Sequence, residues 1–140
     1  MVALPGEGGA PLPRRPRSVV LVSGIYALEP LIGTTVNAAL GLDAAAARAL
    51  SPLLHPLVGF PSAVLCWGEI ETQAFKTQSL DFAAALRRAG TPCTAFEVPQ
   101  RNHFDVVLDL ADTGTTLGRR MLDLFRGRSA ALPMPNEGRP

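Results

Sequence analysis

Apolar residues cluster in three short runs separated by longer mixed segments. The runs cover Ser18 to Ser23, Ala63 to Trp67 and Thr94 to Val98. The first run is continuous and rich in β-branched residues, as is typical of a strand buried on both faces of a parallel sheet, and the second also indicates a buried strand. The sequence therefore predicts three parallel strands whose connections are long enough to cross over a sheet face.

Helical signals occupy the segments between these strands. Asp43 is placed to cap a short helix over Ala44 to Leu50, before the Ser51-Pro52 pair ends it. Thr72 is placed to cap a longer helix, and Gly90 suits the position just after its C-terminus. One face of that longer helix carries an apolar stripe at helical spacing, formed by Phe75, Ser79, Phe82, Ala83, Leu86 and Ala89.

The order of elements predicts an α/β fold. Two more helical segments follow the last strand, over 104–111 and about 116–125. Strands alternating with helices indicate a three-layer α/β/α arrangement with right-handed crossovers around a short parallel sheet. We expect the folded part to cover 18–126, between an irregular Pro- and Gly-rich lead-in at 1–17 and a disordered tail at 127–140. Three strands make a thin, incomplete sheet.

Composition and charge exclude several kinds of partner. The 140 residues suffice for one domain, and a formal net charge of +1 gives no electrostatic reason to bind nucleic acid. No run approaches the roughly 20 apolar residues of a membrane span, and the N-terminus lacks the order of a signal peptide. Cys66 and Cys93 lie in predicted strands without metal-site spacing. We expect a cytoplasmic protein with reduced thiols and no metal, membrane or nucleic-acid partner.

Candidate catalytic groups follow the second and third predicted strands. Glu69 and Glu71 come just after the second strand, and His103 follows the third after a short loop. Because reactive groups gather beyond the carboxyl ends of parallel strands, we expect these side chains to lie close together. A histidine acting as general base needs a carboxylate to hold its tautomer and stabilise the imidazolium. The alternative is structural: Glu71 favours the start of the following helix, and His103 caps a loop.

Other polar residues near these positions are interpreted as structural. Asp105 is placed in the first turn of the next helix, where an anion is stabilising. His55 lies in a proline-rich loop without a nearby acid and is interpreted as a surface histidine. Ser23 ends a strand before Gly24 but lacks the preceding glycine of a nucleophile elbow.

Four segments together resemble the C-terminal half of the kynurenine-formamidase-like α/β-hydrolases, relatives of the carboxylesterases. Their order and spacing carry the resemblance, and they are LVSGIYALEPL (21–31), TTVNAALGLDAAAARALSP (34–52), GEIETQAFKTQS (68–79) and NHFDVV (102–107). The resemblance implies that the three strands are the last of a larger sheet, with Glu71 as triad acid and His103 as triad base. It also implies hydrolysis of an aryl formamide, N-formylkynurenine to kynurenine and formate in tryptophan breakdown, or of small carboxylic esters, without a cofactor.

The chain departs from this family in the parts that carry the nucleophile. It has no HGG-type oxyanion segment and no G-x-S-x-G elbow, and Ala27 stands where the family usually has Asp. We therefore expect a hydrolase fragment that is inactive alone and would act on a small formamide or ester only when an N-terminal half completes it. The alternative is a non-catalytic interaction module that pairs with a full-length hydrolase, or with itself through the strand at 18–23.

Overall fold

A computed structural model describes residues 16–126, which form an α/β fold around a three-stranded parallel sheet. The strands are β1 (Ser18–Val22), β2 (Ser62–Gly68) and β3 (Cys93–Val98), in the spatial order β1-β2-β3. Each predicted strand is confirmed to within one residue at either end. The predicted lead-in, apart from residues 16 and 17, and the predicted tail at 127–140 lie outside the described residues.

Four α-helices accompany the sheet in the described part of the chain: α1 (Asn37–Leu40), α2 (Ala44–Leu50), α3 (Gln73–Arg88) and α4 (Thr116–Phe125). Short 3₁₀ helices lie at Glu29–Leu31, Pro52–Leu54 and Val106–Ala111. Within residues 16–126 no helix has the length and apolarity required to cross a bilayer.

Predictions about helix ends are confirmed in most places. Asp43 caps α2 by accepting a hydrogen bond from the Ala46 amide at 2.7 Å, and Gly90 follows α3 with a left-handed φ of 79°. Thr72 occupies the N-cap position of α3 but makes no side-chain capping bond there. The segment predicted as a helix over 104–111 is a 3₁₀ helix that begins only at Val106.

Each face of the sheet is covered by its own hydrophobic cluster, because successive side chains of a strand point to opposite faces. The first cluster packs α3 and neighbouring loops on one face and includes Tyr26, Leu57, Ala63, Leu65, Phe82, Ala83 and Leu86. The second packs α4 and the last 3₁₀ helix on the other face and includes Cys66, Val98, Val106 and Leu117. Helical layers on both faces confirm the predicted three-layer architecture.

The two outer strands each expose an edge within the described residues. The Ser23 amide donates to the Cys66 carbonyl at 2.8 Å, and amides alternate in direction along a strand. The amides of Val20 and Val22 therefore point away from β2. On the other side of β2, the Ala63 amide donates to the Pro92 carbonyl at 2.9 Å, so the amides of Ala63 and Leu65 point towards β3. Leu65 is paired with Ala95 in this parallel register, and the Ala95 amide therefore points outward from β3.

We expect the fold to lose stability at alkaline pH. Burial, with a smaller contribution from the Glu71 carboxylate, raises the pKa of the Cys66 thiol from 9.0 to about 12. Burial also raises the pKa of the Tyr26 hydroxyl above its usual range. The unfolded chain therefore releases these protons first. The free energy of unfolding should fall between about pH 9 and 12, by up to about 1.4 kcal/mol per pH unit for each group.

Urea unfolding between pH 7 and 11 measures this slope. Cys66→Ala should flatten it. Cys93→Ala, the matched control, should flatten it less, because the Cys93 thiol is only half-buried and its pKa is raised chiefly by that burial. A slope that both substitutions leave unchanged would show that the buried thiol does not control alkaline stability.

Candidate active site

Glu71 and His103, the predicted acid and base, lie together at the carboxyl edge of the sheet. The His103 Nδ1 atom is 3.3 Å from Glu71 Oε2. The Glu71 side chain is 0% exposed, whereas that of His103 is 41% exposed. A neutral imidazole that donates its Nδ1–H to the carboxylate presents its Nε2 lone pair as a proton acceptor. The arrangement is thus suited to general-base chemistry on the exposed side of the ring.

The second oxygen of the Glu71 carboxylate is held by two further donors. Glu71 Oε1 accepts a hydrogen bond from the Gly68 amide at 2.7 Å and another from the Ser23 hydroxyl. Ser23 follows β1, Gly68 ends β2, and His103 follows β3. The carboxyl ends of all three strands therefore contribute a donor to one buried carboxylate, which offsets the cost of removing its charge from water.

The loops after β2 and β3 are hydrogen-bonded to each other. The Glu69 amide donates to the Val98 carbonyl at 3.0 Å, and the Ile70 amide donates to the Arg101 carbonyl at 2.8 Å. The Glu69 carboxylate accepts from the Gln100 amide at 2.8 Å. Glu69, the second candidate acid, therefore joins the two loops through a backbone contact, while Glu71 contacts the histidine.

Gly68 allows these loops to approach closely. A Cβ atom at this position would collide with the carbonyl of Arg101, which is backbone and has little freedom to move. The same carbonyl accepts the hydrogen bond from Ile70. The absence of a side chain at Gly68 therefore permits the contact that sets His103 beside Glu71.

His103 also lies within a braced turn. The Asn102 side-chain oxygen accepts from the amides of Phe104 at 2.8 Å and Asp105 at 3.2 Å. Asp105 in turn accepts from the Asn102 amide at 2.6 Å and from its side-chain nitrogen at 2.9 Å. Asp105 stands at the start of the following 3₁₀ helix, close to its predicted place, but its carboxylate braces the histidine turn instead of capping the helix.

Two aromatic rings flank the His103 imidazole. The Phe75 ring lies 4.4 Å away, tilted by 31°, and the Phe104 ring lies 5.5 Å away in an edge-to-face arrangement at 82°. Phe75 was predicted as part of the apolar stripe of α3, and it is half-buried against the histidine. Phe104 is 84% exposed. The imidazole is therefore confined between aromatic surfaces, one of which is open to solvent.

The remaining candidate residues lie outside this arrangement. His55 is half-buried, and its Nε2 atom contacts the Ala49 carbonyl at 2.7 Å. Cys66 is buried in the middle of β2, as predicted. Among the residues that the structure describes, no group of three His, Cys, Asp or Glu side chains could hold a metal ion.

A short parallel sheet between helical layers, with an acid and a histidine after neighbouring strands, defines part of an α/β-hydrolase fold. The chain resembles the structure of a thioesterase-like protein from Silicibacter sp. (TM-score 0.63, 29% identity, covering 72% of this chain and 37% of that one). It also resembles esterase 2 of Thermogutta terrifontis (TM-score 0.54, 21% identity, covering 83% of this chain and 44% of that one).

In sequence, the chain is similar to the kynurenine formamidases of Salmo salar, at 31% identity over 115 residues, and Danio rerio, at 28% over 114 residues. Each match covers 78% of this chain, which spans only 39% of the length of either relative. No family model matches the chain. The resemblance to kynurenine-formamidase-like α/β-hydrolases that the four sequence segments indicated is thus confirmed.

We expect Gly68→Ala to destabilise the chain and separate the two loops. The added methyl group meets immobile backbone, and overpacking of this kind costs about 1–3 kcal/mol. Gly33→Ala is the matched control, because a Cβ at Gly33 meets no atom within 4 Å; it should be neutral or slightly stabilising. Urea unfolding of both variants checks this expectation, and equal stabilities would mean that the loops do not depend on the missing side chain.

Proposed function

We propose that this chain supplies the acid and base of a serine-hydrolase site that acts on aryl formamides or small carboxylic esters. The observation that carries the proposal is the buried Glu71 carboxylate beside Nδ1 of the exposed His103. The likeness to kynurenine formamidases and esterases supports the reaction class. N-formylkynurenine, an aryl formamide of tryptophan breakdown, is the substrate we consider first.

In the proposed reaction, His103 Nε2 removes the proton from a serine hydroxyl as the serine oxygen attacks the formyl carbonyl. The Glu71 carboxylate stabilises the imidazolium, while backbone amides hold the oxyanion. His103 then protonates the aryl amine, which leaves. A water molecule, deprotonated by His103, attacks the formyl ester and releases formate and the free serine.

The nucleophile of this reaction is proposed to come from a second segment. The sequence has no G-x-S-x-G elbow, and the hydroxyl of Ser23 donates to Glu71. The relatives are much longer than this chain, which spans 39% of them, and the family places its elbow in the N-terminal half. We propose that such a half completes the site and that the 140-residue chain alone is inactive.

Two observations bear on the substrate and the compartment. The exposed Phe104 ring stands beside His103 and offers a surface for packing an aromatic leaving group. Cys66 and Cys93 are both free thiols, in keeping with a reducing compartment such as the cytoplasm. These features favour an aryl formamide and a cytoplasmic reaction.

The decisive experiment is complementation. The chain alone should release no formate from N-formylkynurenine and no phenol from aryl acetates. Activity should appear when an N-terminal half bearing the HGG segment and the elbow, taken from a kynurenine formamidase, is supplied. His103→Ala should then lower kcat by several orders of magnitude. Glu71→Gln should lower kcat less than His103→Ala does, by a factor on the order of 10⁴.

His55→Ala provides the matched control, because His55 is the other histidine of the chain and lies outside the site. It should leave kcat unchanged. Full activity of the complemented Glu71→Gln variant would transfer the acid role to Glu69 or another residue. Turnover by the chain alone, abolished by His103→Ala, would mean that it holds a nucleophile of its own.

The open edge of β1 favours a second candidate function, a module that pairs with another strand. Its outward amides belong to Val20 and Val22, and the strand contains neither lysine nor proline to deter pairing. An added strand could come from a full-length hydrolase or from a second copy of this chain. We propose self-association through residues 18–23 when no other strand covers this edge.

Sedimentation at micromolar concentration should reveal oligomers or larger particles. Val20→Pro removes an outward amide without removing a bond of the β1–β2 ladder, so it should shift the chain towards monomer. Ala95→Pro removes the equivalent outward amide at the β3 edge and should leave association unchanged. A wild-type chain that runs as a monomer and unfolds cooperatively would refute pairing at β1.

A further inference from the structure

We propose that Ser23 is a positioning residue that orients the Glu71 carboxylate and, through it, the His103 imidazole. The contact with Glu71 is independent of any activity, and only its consequence for the rate rests on the proposed function. Ser23 and Glu71 are 48 positions apart in the sequence, and the Ser23 hydroxyl reaches Glu71 Oε1 from the end of the neighbouring strand.

The hydrogen bonds of the carboxylate divide between its two oxygens. Oε1 accepts from Ser23 and Gly68, which leaves Oε2 to accept from His103 Nδ1. With the Ser23 bond removed, Oε1 keeps one donor, and the carboxylate gains freedom to turn about its terminal bond. The Ser23 hydroxyl therefore selects the carboxylate rotation that keeps Oε2 directed at the imidazole.

The backbone of Ser23 supports a role for its hydroxyl. Its φ is 49°, in the left-handed region that glycine adopts far more readily than serine. The residue is 7% exposed, and its amide is held by the Cys66 carbonyl at 2.8 Å. A glycine would satisfy this backbone conformation better, but it would leave Glu71 Oε1 without its side-chain donor.

A positioned carboxylate has a specific spectroscopic consequence. When Nδ1–H donates to Glu71, His103 is held as the Nδ1–H tautomer, whereas free histidine favours the Nε2–H tautomer. The ¹⁵N shifts of the two ring nitrogens distinguish these forms. The chain has only two histidines, so His55 serves as an internal reference.

The experiment uses the full 140-residue chain labelled with ¹⁵N-histidine, at a pH at which its shifts report neutral rings. The ¹⁵N spectra can be recorded in solution or, if the chain associates, on the sedimented protein by magic-angle-spinning NMR. Ser23→Ala and Ser23→Gly should each lower the ratio of Nδ1–H to Nε2–H at His103 about tenfold, within the range expected for loss of a hydrogen bond to a charged group. The His55 signals should not change.

Three comparisons separate positioning from folding. Ser23→Gly relieves the backbone conformation, so it should fold at least as well as Ser23→Ala in urea while still losing the tautomer preference. Ser79→Ala is the matched control, because Ser79 is a buried serine whose hydroxyl has no hydrogen-bond partner in the described structure; it should leave His103 unchanged. In a Glu71→Gln background, Ser23→Ala should add no further change, because both act through one carboxylate.

An unchanged His103 tautomer in both Ser23 variants would overturn the inference, and so would restoration of the wild-type ratio by Ser23→Gly. In the complemented enzyme, Ser23→Gly should lower kcat about tenfold with little change in KM. Failure of the complemented wild-type protein to hydrolyse any substrate would defeat the proposed function but would leave the tautomer result, and hence the role of Ser23, standing.

Discussion

The approach of the loop after β3 onto Gly68 is the constraint on which the site depends. Glu71 and His103 are separated by a helix and a strand, and their pairing requires the two strand ends to carry their loops to the same place. Backbone hydrogen bonds of Glu69 and Ile70 join the loops, and the missing side chain at Gly68 makes room for them. The positions of the two loops that carry Glu71 and His103 are thus fixed by main-chain contacts.

A buried carboxylate imposes a second condition on the fold. The Glu71 side chain is inaccessible to solvent, and an ionised group in that position must find its hydrogen-bond partners within the protein. It receives them from Ser23, Gly68 and His103. Burial of the Cys66 thiol raises its pKa, and the charge of the Glu71 carboxylate raises it further. The Glu71 carboxylate therefore affects the Cys66 thiol in the core as well as the His103 imidazole.

Local patterns predicted most of the fold. The strands and α2 followed directly from apolar runs and from the capping position of Asp43. The 3₁₀ helix at Val106–Ala111 was predicted as an ordinary helix, because apolar spacing alone does not distinguish the two kinds of helix. The helix begins only at Val106 because the residues before it belong to the turn at Asn102 to Asp105. Thr72 has the right residue type for a cap but does not use its side chain.

Residue type and strand position predicted that Glu69, Glu71 and His103 lie close together, and the resemblance then singled out Glu71 and His103. The contact between Glu71 and His103 was predictable in this way. The contact of Ser23 was not, because it joins residues 48 positions apart and depends on the order of strands in the sheet. The glycine after Ser23 is consistent with a sharp strand end, but it does not indicate what the hydroxyl contacts. The role of Gly68 likewise depends on a backbone approach that only the folded chain reveals.

The bracing of His103 by the Asn102 and Asp105 turn has a consequence for any partner that completes the site. Four hydrogen bonds hold this turn, and three donors hold the acid beneath it. A docking segment would therefore meet an acid and a base that are already oriented. Little of its binding free energy would be spent on ordering this half of the site. On the proposed function, assembly of this chain with an N-terminal half would resemble the meeting of preorganised surfaces more than folding coupled to binding.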